Sequence, residues 1–230
     1  MNNLIKKCDW DSDFFGIMIG KALVKNDDDI DTLISTGGSE PYNLIYIFAD
    51  KQIDLFPGCY FVDEKVVFSK RICQCKDCID AHIRLYVGDA PDDALFSLAL
   101  QSGEHSRFRT DTHFPEGSYE KLYKKWIENC FTGEMGQYVI GYYDEDTITG
   151  FLTINIVGEE ASIGLLAVDA CQRHQGIGSK LLIFATDFLF REGVQFVSVA
   201  TQATNEKACL LYEKNGFSII SSTKIYHWWK

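Results

Sequence analysis

Between Ile163 and Glu192 the chain passes from a strand pattern (IGLLAV) through the stretch CQRHQGIG into an amphipathic helix pattern that Gly193 ends. Glycines at 176 and 178 strip side chains from the point of entry into the helix, leaving N–H groups without intrahelical partners at the positive end of the dipole. Such a junction is either a helix start that needs loose backbone or a loop that grips an anion, and a pyrophosphate suits the second use. Spacing excludes two phosphate-binding loops, because neither G-x-x-x-x-G-K-[ST] nor G-x-G-x-x-G with a distant ribose acid occurs here. What stands is Arg173-x-x-Gly176-x-Gly178, flanked by Gln172 and Gln175.

The flanking sequence sets the junction in a regular series. From His82, HIRLYVG alternates as a strand, Asp89 is placed to cap a helix through about Leu100, and Ser118 to cap another. In that second helix Leu122, Tyr123, Trp126, Ile127, Cys130 and Phe131 share one face before Gly133. QYVIGYYDEDTITGFLTINIV reads as a hairpin turning at Asp144–Asp146, ASIGLLAV as the next strand, and Gly176 to Glu192 as a helix. FVSVAT, a helix EKACLLYEKN capped by Asn205, and two strands, FSIIS and KIYHWWK, complete the series. Upstream, the DDDID run opens a helix, and NLIYIFAD (43–50) and EKVVFSKRI (64–72) are strands. The prediction is an α/β fold, a mixed α+β sheet with helices on both faces, with a small α/β portion over 1–80 and a main portion over 81–230.

Composition narrows the partners. Of 230 residues, 46% are hydrophobic, ample for a core. With 22 basic against 33 acidic residues the net charge is −11, so no nucleic acid or anionic lipid surface is expected as a partner. The N-terminal MNNLIKKCDWDSDFF lacks an apolar core and LLIFATDFLF is interrupted by Asp187, so neither an export signal nor a membrane span is expected. The eight scattered cysteines read as reduced thiols in a cytoplasmic protein. Cys73-x-Cys75-x-x-Cys78 with His82 offers four soft ligands, but only one pair has zinc-knuckle spacing and no second knuckle follows. No metal is expected there.

A second motif lies one helix and one strand beyond the glycine loop: Asn205-x-x-Ala208-x-x-x-Tyr212-x-x-x-Gly216-Phe217, whose residues 205, 208 and 212 fall near one helix face. The two motifs in this order resemble the GNAT superfamily of acetyl-CoA-dependent N-acetyltransferases over residues 82–230. Other blocks are similar to the TDP-fucosamine acetyltransferase group: Trp10 to Gly16 (WDSDFFG), Ser106 to Arg109 (SRFR), Trp126 to Asn129 (WIEN), Ile163 to Ala167 (IGLLA), Val199 to Gln202 (VATQ) and the ending YHWW. The loop TDTHFPEGS (110–118) and the acidic N-terminal helix region depart from that group.

The resemblance implies a GNAT fold with coenzyme A pyrophosphate on Arg173, Gln175, Gly176, Ile177, Gly178 and Ser179. The main chain of Leu166, Ala167 and Val168 would pair with the pantetheine arm, Asn205 would lie on the cofactor side, and Tyr212 would protonate the departing thiolate. It implies acetyl transfer to the 4-amino group of a nucleotide-activated dideoxysugar, with Ser106, Arg107, Phe108 and Arg109 on the acceptor, since the arginine fork matches phosphate oxygens. For the base that takes the ammonium proton, Asp63 is the named candidate, beside Glu64, His105 and a water chain; an exposed turn is the expected setting of residues 63 and 64. A homodimer through the aromatic C-terminal strand is compatible with this reading. A peptide, lysine or polyamine acceptor, and a coenzyme A-binding module without turnover, stand as alternatives.

Overall fold

The structure is a computed structural model that describes residues 4–73, 80–134 and 136–230. Its elements run β1 (Ile5–Lys7), α1 (Asp9–Phe15), β2 (Ile19–Val24), α2 (Asp27–Gly37), β3 (Leu44–Ala49), β4 (Cys59–Arg71) and β5 (Ile83–Leu85). They continue with α3 (Asp93–Ser102), α4 (Arg107–Thr110), α5 (Ser118–Thr132), β6 (Tyr138–Asp144), β7 (Thr147–Val157) and β8 (Glu160–Val168). A 3₁₀ turn (Ala170–Gln172), α6 (Ile177–Arg191), β9 (Phe196–Gln202), α7 (Glu206–Lys214) and β10 (Ser218–Trp229) complete the chain. The α/β class and mixed sheet are as expected.

Two compact units share these elements: residues 1–66, 202–204 and 221–230 form one, and residues 67–201 with 205–220 the other. The division falls inside β4 and β10 rather than in a linker, which is why no change of composition marks it. In the first unit β2 and β3 are parallel, and β3 pairs antiparallel with the end of β10 from Lys224↔Ala49 to Trp229↔Leu44. The crossover helix α2 is fixed by a capping box in which the Asn26 side chain accepts from Asp29 N–H while Asp29 accepts in return. Leu33, Ile45, Ile47 and Tyr226 lie at the centre of this unit's core.

In the second unit β5, β6, β7 and β8 form an antiparallel run, and β8 pairs parallel with β9. The hairpin turns at Glu145, whose φ of 53° is the left-handed conformation such a turn needs. Helix α5 buries Leu122, Tyr123, Ile127 and Cys130, most of the predicted apolar face.

Several boundaries differ from expectation for identifiable reasons. Asp92, not Asp89, caps α3 by accepting from Leu95 N–H at 2.7 Å, because Pro91 disfavours helical geometry at the preceding residue and defers the helix. Gly117, left-handed at φ 78°, occupies the N-cap of α5 and Ser118 is already helical. FSIIS and KIYHWWK form one strand. Asp63 and Glu64 lie within β4 instead of an exposed turn, and Asp63 is 7% exposed. Ile225 to Trp228 are buried, with β3 and β4 as neighbours of β10, so the C-terminal strand offers no free edge there for a partner copy.

Candidate active site

The site is built where β8 stops pairing with β9. Their parallel register runs from Glu160↔Phe196 to Ile163↔Val199 and ends, although β8 continues to Val168 and β9 to Gln202. Directly after Ile163 the β7–β8 register shifts, from Leu152↔Leu166 to Ile154↔Ile163, so Gly164 and Leu165 oppose Thr153 alone. This is a β-bulge, which adds local twist and bends its strand away. Thr153 Oγ1 accepts the Leu165 N–H at 2.9 Å, and a Cβ on Gly164 would sit 3.0 Å from that same oxygen. The bulge therefore needs both residues, and the main chain of Leu166, Ala167 and Val168 continues β8 beyond the last residue paired with β9.

Beyond β8, Asp169 caps the 3₁₀ turn by accepting from Cys171 N–H at 2.9 Å. His174 follows with φ 67° and Gly176 with φ 77°, two left-handed residues that bend the loop into α6. Only at Lys180, whose N–H donates to the Gly176 carbonyl at 3.0 Å, does α6 begin its internal bonding, and no side chain caps it. The N–H groups of Ile177, Gly178 and Ser179 thus lie bare at a helix start with open space over Gly176, a seat for a diphosphate. Gly178 serves a different need, since a Cβ there would meet Leu211 Cδ2 of α7 at 3.1 Å. Ser179 Oγ accepts from Asn215 Nδ2 at 3.0 Å, which leaves its own O–H to donate.

Arg173 folds back along β8 toward the end of α3. Its Nε donates to the Val168 carbonyl at 3.1 Å, and its terminal nitrogens lie 3.4 Å from Glu104 and Gln101. Gln175 is exposed and its Nε2 donates to Gln172 Oε1 at 2.8 Å. Asn205 caps α7 by accepting from Ala208 N–H at 3.2 Å. Tyr212 is 4% exposed, its ring tilted against Phe68 and Phe217. Burial first, and then the Cys209 thiol, push its phenol pKa up, so it holds its proton throughout the neutral range.

The remaining sequence-derived residues separate into two places. Ser106, 3% exposed, caps α4 by accepting from Phe108 N–H, and Phe108 is buried among Phe114 and Trp126. Arg107 lies 4.5 Å above the Phe108 ring and Arg109 5.6 Å from that of Tyr119. A cavity of about 170 Å³ beside Arg109 is also lined by Asp111, Glu116 and Glu120, a surrounding with more carboxylates than cations. His105 is exposed after α3. In the first unit Glu64 accepts from Ser222 Oγ at 2.6 Å and Lys224 Nζ at 3.0 Å, which holds its carboxyl below the ordinary value. With Phe61, Tyr226, Leu55, Ile53, Gln52 and Lys224 it lines a cavity of about 350 Å³.

Sequence reasoning missed Thr153, Gln101 and Glu104. A glycine inside the IGLLA strand was a legible sign of a bulge; nothing local pointed to the two α3-side residues. Among the described residues no group of three histidines, cysteines or carboxylates is placed to hold a metal; Cys75 and Cys78 lie outside them, and Cys73 is exposed just after β4. No helix among the described residues is long and apolar enough to cross a membrane.

The chain is similar to proteins of known name. Over 131 residues it is 30% identical to the dTDP-fucosamine acetyltransferase of Escherichia coli O6:H1, covering 56% of this chain and 55% of that one. Over 137 residues it is 26% identical to a spore coat polysaccharide biosynthesis protein of Bacillus subtilis, covering 60% and 47%. It thus spans about half the length of these two relatives. It is also 28% identical over 104 residues to the [ribosomal protein bS18]-alanine N-acetyltransferase of Escherichia coli K12, covering 44% of this chain and 70% of that enzyme. In fold it is similar to a GCN5-related N-acetyltransferase from Sphaerobacter thermophilus, with a TM-score of 0.55, 15% identity, and coverage of 90% and 72%. The profile of the acetyltransferase (GNAT) family matches residues 100–217, more than half of the chain, from the end of α3 through β8 and the bare helix start to Phe217. The chain belongs to that family.

Proposed function

We propose that this protein is an N-acetyltransferase that moves the acetyl group of acetyl-CoA to the amino group of a nucleotide-activated 4-amino-4,6-dideoxysugar, in the cytoplasm, for cell-surface polysaccharide synthesis. The observation that carries the donor half is the bulge at Gly164–Leu165, where the β8–β9 pairing stops on the strand whose following loop leads to a helix start with bare amides. The names of the first two relatives support the acceptor half.

In this reading the thioester lies along Leu166–Val168 and the pyrophosphate at Ile177–Ser179. The free amine attacks the carbonyl carbon, a strand amide stabilises the oxyanion, and the C–N bond forms as the C–S bond breaks. Tyr212 gives its proton to the departing sulfur, and the attacking nitrogen loses its own to Asp63 or to water. A phenol, with a reference pKa of about 10, is a weaker acid than a thiol at about 8.5, so the transfer is driven by desolvation of the sulfur anion beside the buried Tyr212, which raises the proton affinity of the sulfur as negative charge develops.

An amine on a peptide is the second reading, favoured by the ribosomal-protein relative and by the carboxylates around Arg109. One assay separates them: acetyl-CoA is incubated with a panel of nucleotide 4-aminosugars, peptides and spermidine while free thiol is followed. Release with aminosugars alone is the expected result. Release with peptides alone overturns the sugar reading, and coenzyme A binding without release from any of them makes the protein a binding module.

A further inference from the structure

The loop after β8 is not self-supporting. Asp169 spends one carboxylate oxygen on Cys171 N–H, while its other oxygen accepts from Gln101 Nε2 at 3.2 Å. Gln101 Oε1 in turn accepts from Ala170 N–H at 2.9 Å and lies 3.4 Å from Arg173 Nη2. Glu104, just past the same helix, stands 3.4 Å from both terminal nitrogens of Arg173, whose Nε is committed to the Val168 carbonyl. One amide side chain in the last turn of α3 thus meets the first, second and fifth residues after β8.

We propose that Gln101 is the positioning residue of the diphosphate seat, and that Arg173 acts as a strut held by Gln101 and Glu104 instead of as a phosphate ligand. Chemistry supports the division of labour. Arg173 faces a carboxylate at salt-bridge distance and a strand carbonyl, so turning it to an incoming phosphate would break both ties and leave the Val168 carbonyl without this donor. The three bare amides of α6 need no side chain to bind the anion but must be aimed, and the loop that aims them is fixed from α3. Gln101 suits this place because a primary amide is donor and acceptor at once: Asp169 needs the donor and Ala170 the acceptor.

This inference rests on the donor reading above, and coenzyme A binding by calorimetry tests the two separately. Gln101→Ala is expected to weaken coenzyme A about tenfold, the scale of losing one or two such hydrogen bonds, while kcat at saturating acetyl-CoA stays within about twofold and the melting temperature is little changed. Gln101→Glu keeps the acceptor but faces Asp169 with a second carboxylate; the charged groups around it are Asp169, Arg173 and Glu104. Its affinity, compared with the wild type at each pH, should recover as pH falls and one carboxyl gains a proton to donate. Equal affinity of Gln101→Ala and wild type overturns the proposal, and so does a Gln101→Glu pH profile parallel to that of the wild type. A wild-type protein that does not bind coenzyme A overturns the donor reading itself, and the inference with it.

Discussion

Tyr212 and Glu64 show opposite uses of a buried or partnered proton. Tyr212 keeps its proton because burial denies the phenolate its water. Tyr212→Phe should therefore cut turnover by about 10²-fold or more while acetyl-CoA binding is unchanged, measured by thiol release and calorimetry; an unaltered rate removes Tyr212 from the chemistry. Glu64 gives up its proton more readily than usual because Ser222 and Lys224 bond its carboxylate. A lowered folded-state pKa means this stabilisation is present above the unfolded value of about 4.3 and is lost as pH falls through the folded value. Glu64→Gln should accordingly flatten the acid side of a plot of melting temperature against pH, below about pH 5. At this scale the sequence was informative about loop residues, whose spacing is local, and uninformative about Arg173. Its partner Glu104 lies 69 residues away, and no pattern in a single chain reports such a pairing.

At the level of elements, the bulge on β8 depends on one hydroxyl. Thr153→Val keeps shape but leaves the Leu165 N–H without its acceptor in a buried place, and unfolding free energy should fall by about 1–3 kcal/mol in a denaturant titration. Gly178→Val should cost a similar amount, about 1–3 kcal/mol, by forcing α6 away from Leu211. The hairpin, α5, α6 and α7 were readable because their periodicity is strong and their ends carry Gly133, Gly193 or Asn205. The short elements β1, α1 and α4 were not, since three to seven residues give no period to count. The start of α3 was displaced by Pro91, a single residue whose effect outweighs the nearby aspartate.

For the molecule as a whole, the decisive pairing joins segments far apart in the sequence. Ile225 to Trp229 close the first unit against β3, and four of these five side chains are buried. A protein lacking residues 225–230 should lose hydrogen-exchange protection throughout β3, read by mass spectrometry, while α5 and β7 stay protected. The hydrophobic pattern marked the aromatic ending as a strand but carried no sign of its neighbour, because strand pairing is set by complementarity across the fold.

That pairing also has a consequence for biosynthesis. A nascent chain emerges N-terminus first at about 5–20 residues per second, yet β3, already paired with β2, receives its second neighbour only once residues 224–229 have been made. Until then the strand LIYIFA waits with its β10-side edge unpaired, so a strand made early is completed late, and an unpaired strand edge is open to wrong partners in the interval.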